Sequence, residues 1–310
     1  MNHLRLLIFC AFFPFLCFSQ KNEKFHKVKI NYTSPADLVK LANQGVCIDH
    51  GLHKKNHFFI SDFSESEIEK MLSLNFDYEI LINDVTHFYK QRNKLSNKSA
   101  KNIFCEENEN IFETPENYDF KPSDDFGGFY TYNEMLNELD DMHSLYPEII
   151  SARSDIKDET FSSSPHIHET YEGRYLQWVK ISDNPNISEG EPQILYTALH
   201  HAREPASLQQ LIYFMWYLLE NYDSNDSIKQ IIDNSELFFV PCVNPDGYIF
   251  NETIEPNGGG MWRKNTRDSH GVDNNRNYSY IDENGNEVWN TSGTSSNPVS
   301  YTHLTLPTKA

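Results

Sequence analysis

The sequence predicts an α/β domain built on a central sheet, preceded by a small α+β domain with the element order βαββαβ. Three observations lead to this fold class. After residue 129, apolar strand-like runs alternate with amphipathic helical segments, which is typical of a sheet flanked by helices. Residues 25–86 hold short alternating strands and two capped helices. Residues 87–122 are polar, with an acidic stretch and two prolines, which indicates an exposed linker between the two domains.

The first domain is predicted from alternation of apolar residues and from helix caps. Ser34 followed by Pro35 predicts the start of one helix, which Gly45 ends. Ser64 and Glu67 have the spacing of a capping box and predict the start of the second helix. The predicted strands are residues 28–32, 46–48, 57–60 and 78–82.

The second domain is expected to occupy residues 123–298. Thr131 and Glu134 form a second capping box, ahead of a helix with an apolar inner face. Apolar runs at 193–198 and 237–240 predict two buried strands. Pro205 begins a strongly apolar helix directly after the first of them.

The N-terminal sequence indicates the compartment of the protein, and the net charge narrows the classes of partner. Residues 1–19 combine a basic start, a short apolar run and a small residue before polar sequence, which predicts a secretory signal peptide. The apolar run is too short for a membrane span, so we expect a secreted protein, extracellular or periplasmic. A formal charge of −19 argues against nucleic acid as a partner.

The first chemically informative segment is His200-His201-Ala202-Arg203-Glu204, between the predicted strand at 193–198 and the long helix. Ligands in open α/β sheets gather at strand ends, where this segment falls. His201 and Glu204, three residues apart, can face the same way in a tight turn. Imidazole and carboxylate together suit Zn²⁺. Taken alone, this spacing is more often a surface pair than a metal site.

Two arginines in Gly- and Asn-rich segments form the second chemical signal. Arg263 and Arg276 lie in predicted loops, from which guanidinium groups can reach a ligand. A guanidinium group binds a carboxylate through two parallel hydrogen bonds, and an adjacent Asn amide can donate another. The alternative is that both are solvated loop arginines.

Four motifs in order resemble the M14 family of zinc carboxypeptidases, the carboxypeptidase A/B type. They are H-A-R-E at 201–204, N-P-D-G-Y at 244–248, M-W-R-K at 261–264 and G-V-D-N-N-R-N at 271–277. The resemblance covers roughly residues 125–298, and the N-terminal domain resembles the propeptide of that family. It implies the zinc carboxypeptidase fold, with a mixed central sheet, incomplete in this chain.

The resemblance also assigns roles to individual residues. It implies that one Zn²⁺ is bound by His201 and Glu204, with His200 a neighbour rather than a ligand. Arg263 would polarise the scissile carbonyl and stabilise the oxyanion. The implied substrate-binding residues are Arg203, which would line the site, and Asn275 and Arg276, which would hold the terminal carboxylate of a peptide or protein.

Parts of the family's site are missing from the sequence. The third zinc ligand, a His downstream of Arg276, and a Glu general base are not identifiable. His270 precedes Arg276, and His303 comes too early and in the wrong context. Residues 299–310 resemble a translated adapter sequence and are expected to be a non-native tail on a C-terminally truncated chain, which would be inactive.

The function expected from the resemblance is a secreted zymogen of a zinc metallocarboxypeptidase that removes C-terminal residues from peptides or proteins. Two alternatives remain open. One keeps the metal and acts as an amidase on cell-wall peptides. The other is a non-catalytic relative that retains the fold and binds carboxylates. The sequence does not predict the oligomeric state.

Overall fold

A computed structural model describes residues 23–48, 50–96, 114–122, 125–156, 169–267 and 271–276. The predicted signal peptide (1–19) and tail (299–310) lie outside these ranges, as do His270 and His303. The elements before residue 100 are β1 (Phe25–Asn31), α1 (Pro35–Asn43), β2 (Leu52–Lys54), β3 (Phe58–Ser64), α2 (Glu65–Ser73), β4 (Tyr78–Ile82) and α3 (Val85–Ser96). The later elements are α4 (Tyr132–Leu145), β5 (Ser154–Asp155), β6 (Gln177–Ile181), β7 (Gln193–Thr197), α5 (Ala206–Glu220), α6 (Asp226–Ile232), β8 (Glu236–Val240) and α7 (Pro245–Ile254), with 3₁₀ turns at Phe126–Gly128 and Asn274–Arg276.

The N-terminal unit, β1 to β4, has the predicted βαββαβ order. Its strands form one antiparallel sheet in the order β2-β3-β1-β4. The inward side chains of β1 and β3 pack with those of α1 and α2 into a separate hydrophobic cluster. The Ser64–Glu67 capping box is present: the Glu67 N–H donates to Ser64 Oγ and the Ser64 N–H to Glu67 Oε2. Local capping signals therefore determined the helix position correctly.

One strand of this unit lies elsewhere than predicted. Residues 46–48 do not form a strand, and β2 begins at Leu52 instead. The apolar character of 46–48 has a packing role, since Val46 is completely buried in the cluster. The neighbouring Cys47 N–H donates to Glu67 Oε1 at 2.9 Å rather than to a sheet partner.

The range predicted as an exposed linker, 87–122, is structured at both described ends. Its first part belongs to α3, and its last part packs on the second domain. Tyr118 is buried in the larger core, and Glu220 at the end of α5 accepts hydrogen bonds from the Glu116 and Asn117 N–H groups. The segment 97–113 lies outside the described residues.

The second sheet is mixed and has the strand order β5-β6-β8-β7. β6 runs antiparallel to β8 and to β5, whereas β7 runs parallel to β8. α5 buries one apolar face in the main hydrophobic cluster, together with α4 and the inward residues of β6 and β8. The α/β class with a mixed sheet is thus confirmed. Among the described residues, no helix combines the length and apolar character that a bilayer crossing requires.

The prediction that 193–198 is a buried strand is wrong in one respect. β7 forms, but it is the edge strand of the described sheet, and Ile194 and Leu195 are 42% and 64% exposed. Only Tyr196 is half-buried, with its ring stacked 5.0 Å from that of Phe239. The apolar run predicted the strand correctly. It did not predict burial, because burial depends on which other elements pack on the faces of the strand.

β6, for which the sequence analysis assigned no element, lies in the middle of the sheet and carries a buried charge. The Lys180 ammonium lies 3.3 Å from Glu236 Oε1, and both side chains are at most 5% exposed. Glu236 also accepts hydrogen bonds from Gln193 Nε2 at 2.6 Å and from the Glu189 N–H at 3.0 Å. These hydrogen bonds, first that from Gln193, hold the pKa of Glu236 below its ordinary value and so favour its ionised form.

Candidate metal centre

The loop between β7 and α5 carries the first predicted site residues. The Glu204 N–H donates to the His201 carbonyl at 3.1 Å, which closes a tight turn. Just before it, Leu199 has a φ of 49°, in the left-handed region that a branched residue rarely adopts. Its N–H donates to Ser207 Oγ in the first turn of α5 at 3.1 Å. The turn is therefore held to the helix at the cost of backbone strain, a feature often found at functional sites.

This turn brings His201 and Glu204 together, as their spacing predicted. His201 Nδ1 lies 3.0 Å from Glu204 Oε2 and 3.2 Å from Oε1. The imidazole is only 2% exposed, whereas the carboxylate is 38% exposed. A buried nitrogen and a more accessible carboxylate thus face the same point, which suits a cation reached from solvent.

A residue that the sequence analysis missed, Asp273, holds the other side of the imidazole. Its Oδ1 lies 3.2 Å from His201 Nε2, and its carboxylate is 7% exposed. A metal-binding His commonly donates its second ring N–H to a carboxylate, which fixes the tautomer and the ring orientation. The available signal was its position in G-V-D-N-N-R-N, two residues before Asn275.

Arg263 lies between the two carboxylates. Its Nη1 is 3.3 Å from Glu204 Oε1, and its Nε and Nη2 are 3.3 and 3.2 Å from Asp273 Oδ2. The guanidinium is 5% exposed. It therefore adjoins the His201–Glu204 pair, and in this structure its charge balances the two acids beside the imidazole.

The segment that carries Arg263 is held by backbone contacts and by two buried amides of α7. The Arg263 carbonyl accepts from the Ala202 N–H at 2.9 Å and from Asn244 Nδ2 at 3.4 Å. Asn251 binds the Trp262 backbone twice, through Oδ1 at 3.0 Å and Nδ2 at 2.8 Å. Asn244 and Asn251 thus position Arg263 against the turn at His201. Sequence reasoning gave neither amide a role.

The predicted carboxylate-binding residues are only partly placed by the structure. The Asn275 N–H donates to Asp273 Oδ1 at 2.9 Å, so its turn is linked to the imidazole of His201 through one carboxylate. The backbone of Arg276 belongs to the same 3₁₀ turn. The side chain of Arg276 lies outside the described part of the structure, and its role stays a prediction.

Arg203 points toward the N-terminal unit. Its guanidinium carbon lies 5.9 Å from the ring centre of Phe25, in a cation–π contact. Both residues line a cavity of about 520 Å³ between the two units, which Arg263 also lines. Arg203 therefore borders the space next to Arg263, and its role in lining a substrate site stays a prediction.

A further imidazole comes from the N-terminal unit. His50, between α1 and β2, places its Nε2 3.2 Å from Glu204 Oε1. Its ring meets that of His201 edge-on, with 5.3 Å between ring centres. Nothing in the local sequence indicated this contact, because His50 is separated from Glu204 by more than a hundred residues.

The charges around the pair favour an ionised carboxylate. Burial raises the pKa of Glu204, but the hydrogen bond and charge of His201, followed by His50 and Arg263, outweigh it and leave the pKa lowered. Burial lowers the pKa of His201, yet its hydrogen bonds to Asp273 and Glu204 leave it raised. The pKa of the neighbouring His200 is lowered by burial. An ionised carboxylate and an imidazole with a second carboxylate behind it are the donors that zinc requires.

The sequence pattern of one peptidase family, described as zinc carboxypeptidase, matches residues 154–304 of this chain. A zinc carboxypeptidase of Saccharothrix mutabilis subsp. capreolus is 30% identical over 158 residues, which are 50% of this chain and 33% of that protein. Metallocarboxypeptidase A of Trichophyton tonsurans is 30% identical over 183 residues, 57% of this chain and 38% of that protein. The chain therefore spans about a third of the length of these curated relatives.

The solved structures give the same picture of the fold. The crystal structure of carboxypeptidase A from Helicoverpa armigera superposes with a TM-score of 0.58 at 19% identity. The superposition covers 88% of this chain and 61% of that one. At this identity the likeness concerns the fold, and it extends over more of the chain than the match of the family pattern does.

Proposed function

We propose that the protein is a metallocarboxypeptidase that removes C-terminal residues from peptides or proteins, on the strength of the match of residues 154–304 to the zinc carboxypeptidase family and of the similarity to its curated members. The observation that carries the proposal is the cluster of His201, Glu204 and Arg263, in which a buried imidazole nitrogen and a carboxylate face one point beside a guanidinium. The family pattern, the fold and this cluster independently agree.

His201 and Glu204 are the residues that would hold one zinc ion, with Asp273 fixing the imidazole. Asp273 keeps the Nε2 side of His201 occupied, so that Nδ1 is directed to the same point as the Glu204 carboxylate. When bound, zinc supplies a Lewis acid and activates water for hydrolysis. Arg263 is 3.3 Å from Glu204, close enough to stabilise negative charge that develops on a carbonyl oxygen bound beside the ion.

The same arrangement accounts for selection of chain ends. The turn at 274–276 is linked to His201 through Asp273, so a carboxylate bound by Asn275 and Arg276 would lie next to the hydrolytic centre. A guanidinium group binds a carboxylate through two parallel hydrogen bonds, and an adjacent amide can donate a further one. Internal peptide bonds lack this anchor and would be left uncleaved.

We further propose that the protein is exported and that the N-terminal unit is a propeptide. Residues 1–19 have the pattern of a signal peptide. Support for the propeptide comes from the contacts between the units: Phe25 lies under Arg203, His50 pairs with Glu204, and both units line the cavity beside Arg263. A polypeptide substrate would have to displace this unit, so proteolysis in the range 97–113 would release activity.

The test uses the full-length gene product, freed of its N-terminal unit, with two peptides that differ only in a free or amidated C-terminus. We expect cleavage of the first peptide alone, loss of activity on chelation and recovery on addition of Zn²⁺. Arg276→Ala should lower kcat/KM by about 10–100-fold, since a charge-assisted hydrogen bond contributes about 1.5–3 kcal/mol.

Arg267→Ala is the matched control, because Arg267 is an exposed loop arginine close in sequence. It should leave kcat/KM unchanged. Equal cleavage of both peptides, or activity that survives complete removal of the metal, would overturn the proposed function.

A further inference from the structure

Asn265 connects the segment that carries Arg263 with the turn at 274–276. Its N–H donates to the Val272 carbonyl at 3.0 Å, and its side-chain Oδ1 accepts from the Val272 N–H at 2.7 Å. Asn265 thus binds both backbone polar groups of Val272, which directly precedes Asp273. Two hydrogen bonds to one residue fix the spacing between the two segments.

The other polar groups of Asn265 hold the residue itself in place. Its Oδ1 also accepts from the Arg267 N–H at 3.1 Å, and its carbonyl accepts from Trp262 Nε1 at 3.1 Å. Gly271 packs against the same carbonyl: a Cβ there would lie 2.4 Å from the Asn265 oxygen, and the φ of Gly271 is 64°, which favours glycine. Close backbone contact therefore adds to the two hydrogen bonds at Val272.

The side chain of Asn265 matters more for the turn at 274–276 than for Arg263. Two amides of α7 already hold the backbone around Arg263, as described above. Without the Asn265 side chain, the N–H of Val272, a residue only 6% exposed, would lose this acceptor. An unsatisfied buried N–H is costly, so the backbone at Val272 would shift to regain a partner and would carry the following turn with it.

We propose that Asn265 is a positioning residue that sets the distance between Arg263 and the carboxylate-binding turn at 274–276. This inference rests on the proposed function, because it takes that turn as the anchor of the substrate's terminal carboxylate. Binding of the carboxylate is the same before and during the reaction, so a displaced turn raises KM and leaves kcat nearly unchanged. A purely structural role has another signature: partial unfolding lowers the number of active molecules, and with it the apparent kcat, without changing KM.

The test compares Asn265→Ala with the unmodified full-length gene product, each freed of its N-terminal unit, on the peptide with a free C-terminus. We expect KM to rise by about 3–10-fold, which corresponds to the net contribution of one hydrogen bond, and kcat to stay within about twofold. Hydrogen exchange of the 310-residue chain, followed by NMR, gives a readout that does not depend on activity. The Val272 amide should lose protection in Asn265→Ala and keep it in Asn265→Asp, which retains an acceptor oxygen.

Asn225→Ala is the matched control, since Asn225 Oδ1 also accepts from two backbone N–H groups, those of Ser227 and Ile228 at the start of α6. It should lower stability to a similar degree and leave KM unchanged. An unchanged KM or a protected Val272 amide in Asn265→Ala, or an equal rise of KM in both variants, overturns the inference. Selective cleavage of the free peptide by the unmodified enzyme would then leave the proposed function intact, whereas cleavage of both peptides or of neither overturns both.

Discussion

At the scale of single residues, the carboxylate of Asp273 joins three groups of the site. It contacts the imidazole of His201, the guanidinium of Arg263 and the N–H of Asn275, all within 3.3 Å. It thereby fixes the orientation of a predicted ligand, a predicted catalytic arginine and a predicted carboxylate-binding turn at once. We therefore expect Asp273 to affect the site by positioning these three residues.

Replacing Asp273 by Asn should therefore weaken metal binding without removing a ligand. We expect Asp273→Asn to lower zinc affinity by about 10–100-fold, because a neutral amide holds the imidazole less firmly and leaves Arg263 with less counter-charge. Competition titration with a chelator measures the change. The exposed Asp140, which pairs with Arg153, provides the control variant Asp140→Asn. Equal affinities for all three proteins would contradict the assigned role.

Glu252 of α7 gives a prediction about pH. Burial raises its pKa from 4.5 to about 7, against the effect of the Tyr132 N–H that it accepts at 2.5 Å. A carboxyl group whose pKa is raised on folding favours the folded state when protonated. Stability is therefore lost as the pH rises from about 4.5 to about 7, and the loss is complete above that range.

Glu252→Gln removes this titration and can keep the acceptor for Tyr132. Its free energy of unfolding relative to the unmodified chain should rise by about 1–2 kcal/mol across that pH range, a figure reduced for solvent screening of a partly exposed group. Denaturant unfolding at several pH values measures the difference. A difference that stays constant with pH would contradict the raised pKa.

At the scale of elements, the start of α7 packs directly against the segment that carries Arg263. A Cβ added to Gly247 would lie 2.3 Å from the Lys264 carbonyl oxygen, and 2.8 Å from Asn244 Nδ2. The glycine of the N-P-D-G-Y motif is thus required by close approach of two backbones. The motif positions the arginine without touching a ligand.

Gly247→Ala should consequently destabilise the chain and disturb the site together. Overpacking against a backbone carbonyl costs about 1–3 kcal/mol, and relief requires a shift of residues 261–265. Thermal or denaturant unfolding measures the first effect and zinc affinity the second. Thr253→Ala, on the exposed face of the same helix, should change stability by no more than about 0.5 kcal/mol. If Gly247→Ala were as stable as the unmodified chain, α7 and residues 261–265 would be able to move apart at little cost.

The exposed edge of β7 leads to a prediction about association. In the part of the sheet that the structure describes, β7 pairs with β8 on one side only, and Leu195 is 64% exposed. An apolar strand edge of this kind offers unpaired backbone groups to which a strand of another chain can pair. Leu195→Lys should weaken self-association of the 310-residue chain by about tenfold or more, since burying one Leu contributes about 1.5–3 kcal/mol.

Sedimentation velocity over a range of concentrations measures this association. Leu145→Lys is the control, because Leu145 is 57% exposed but lies at the end of a helix, α4. It should leave the concentration dependence as it is. A similar reduction by both substitutions would point to general repulsion between charged chains and not to pairing through β7.

The elements that sequence analysis predicted well are those specified locally. The capping boxes at Ser64 and Thr131 begin helices where expected, since partner and cap lie three residues apart. β6 was missed because Gln177 and Lys180 interrupt its apolar pattern. Lys180 can be buried there because it pairs with Glu236, which lies on a neighbouring strand. Asp273 and His50 were missed as site residues for the same reason: each reaches the site only through the tertiary fold.

At the scale of the whole molecule, the chain has two separate hydrophobic cores. One belongs to the N-terminal unit and the other to the mixed sheet with its helices. The contacts named above between the units, Arg203 with Phe25 and His50 with Glu204, are cationic or polar. Such contacts contribute little compared with the burial of a core.

The two units should therefore lose structure separately. Ile30→Ala, which creates a cavity in the N-terminal core, should cost about 2–5 kcal/mol there. Hydrogen exchange should then lose protection over residues 25–82 and keep it over 206–254. Met215→Ala, in the other core, should have the opposite pattern. Simultaneous loss of protection in both ranges, for either substitution, would show that the chain unfolds as one cooperative body.

The buried pair of Lys180 and Glu236 also bears on how the chain finds its pairing. In the observed register Lys180 lies opposite Phe238, so Glu236 is its diagonal neighbour on the same face. A shift of β6 by one residue would turn the Lys180 ammonium to the other face of the sheet, where Val179 and Leu237 are buried. The Glu236 carboxylate would then remain buried without a cation. Because an unpaired buried charge costs about 3–5 kcal/mol, the pair favours the observed register of β6 and β8 over one shifted by a residue.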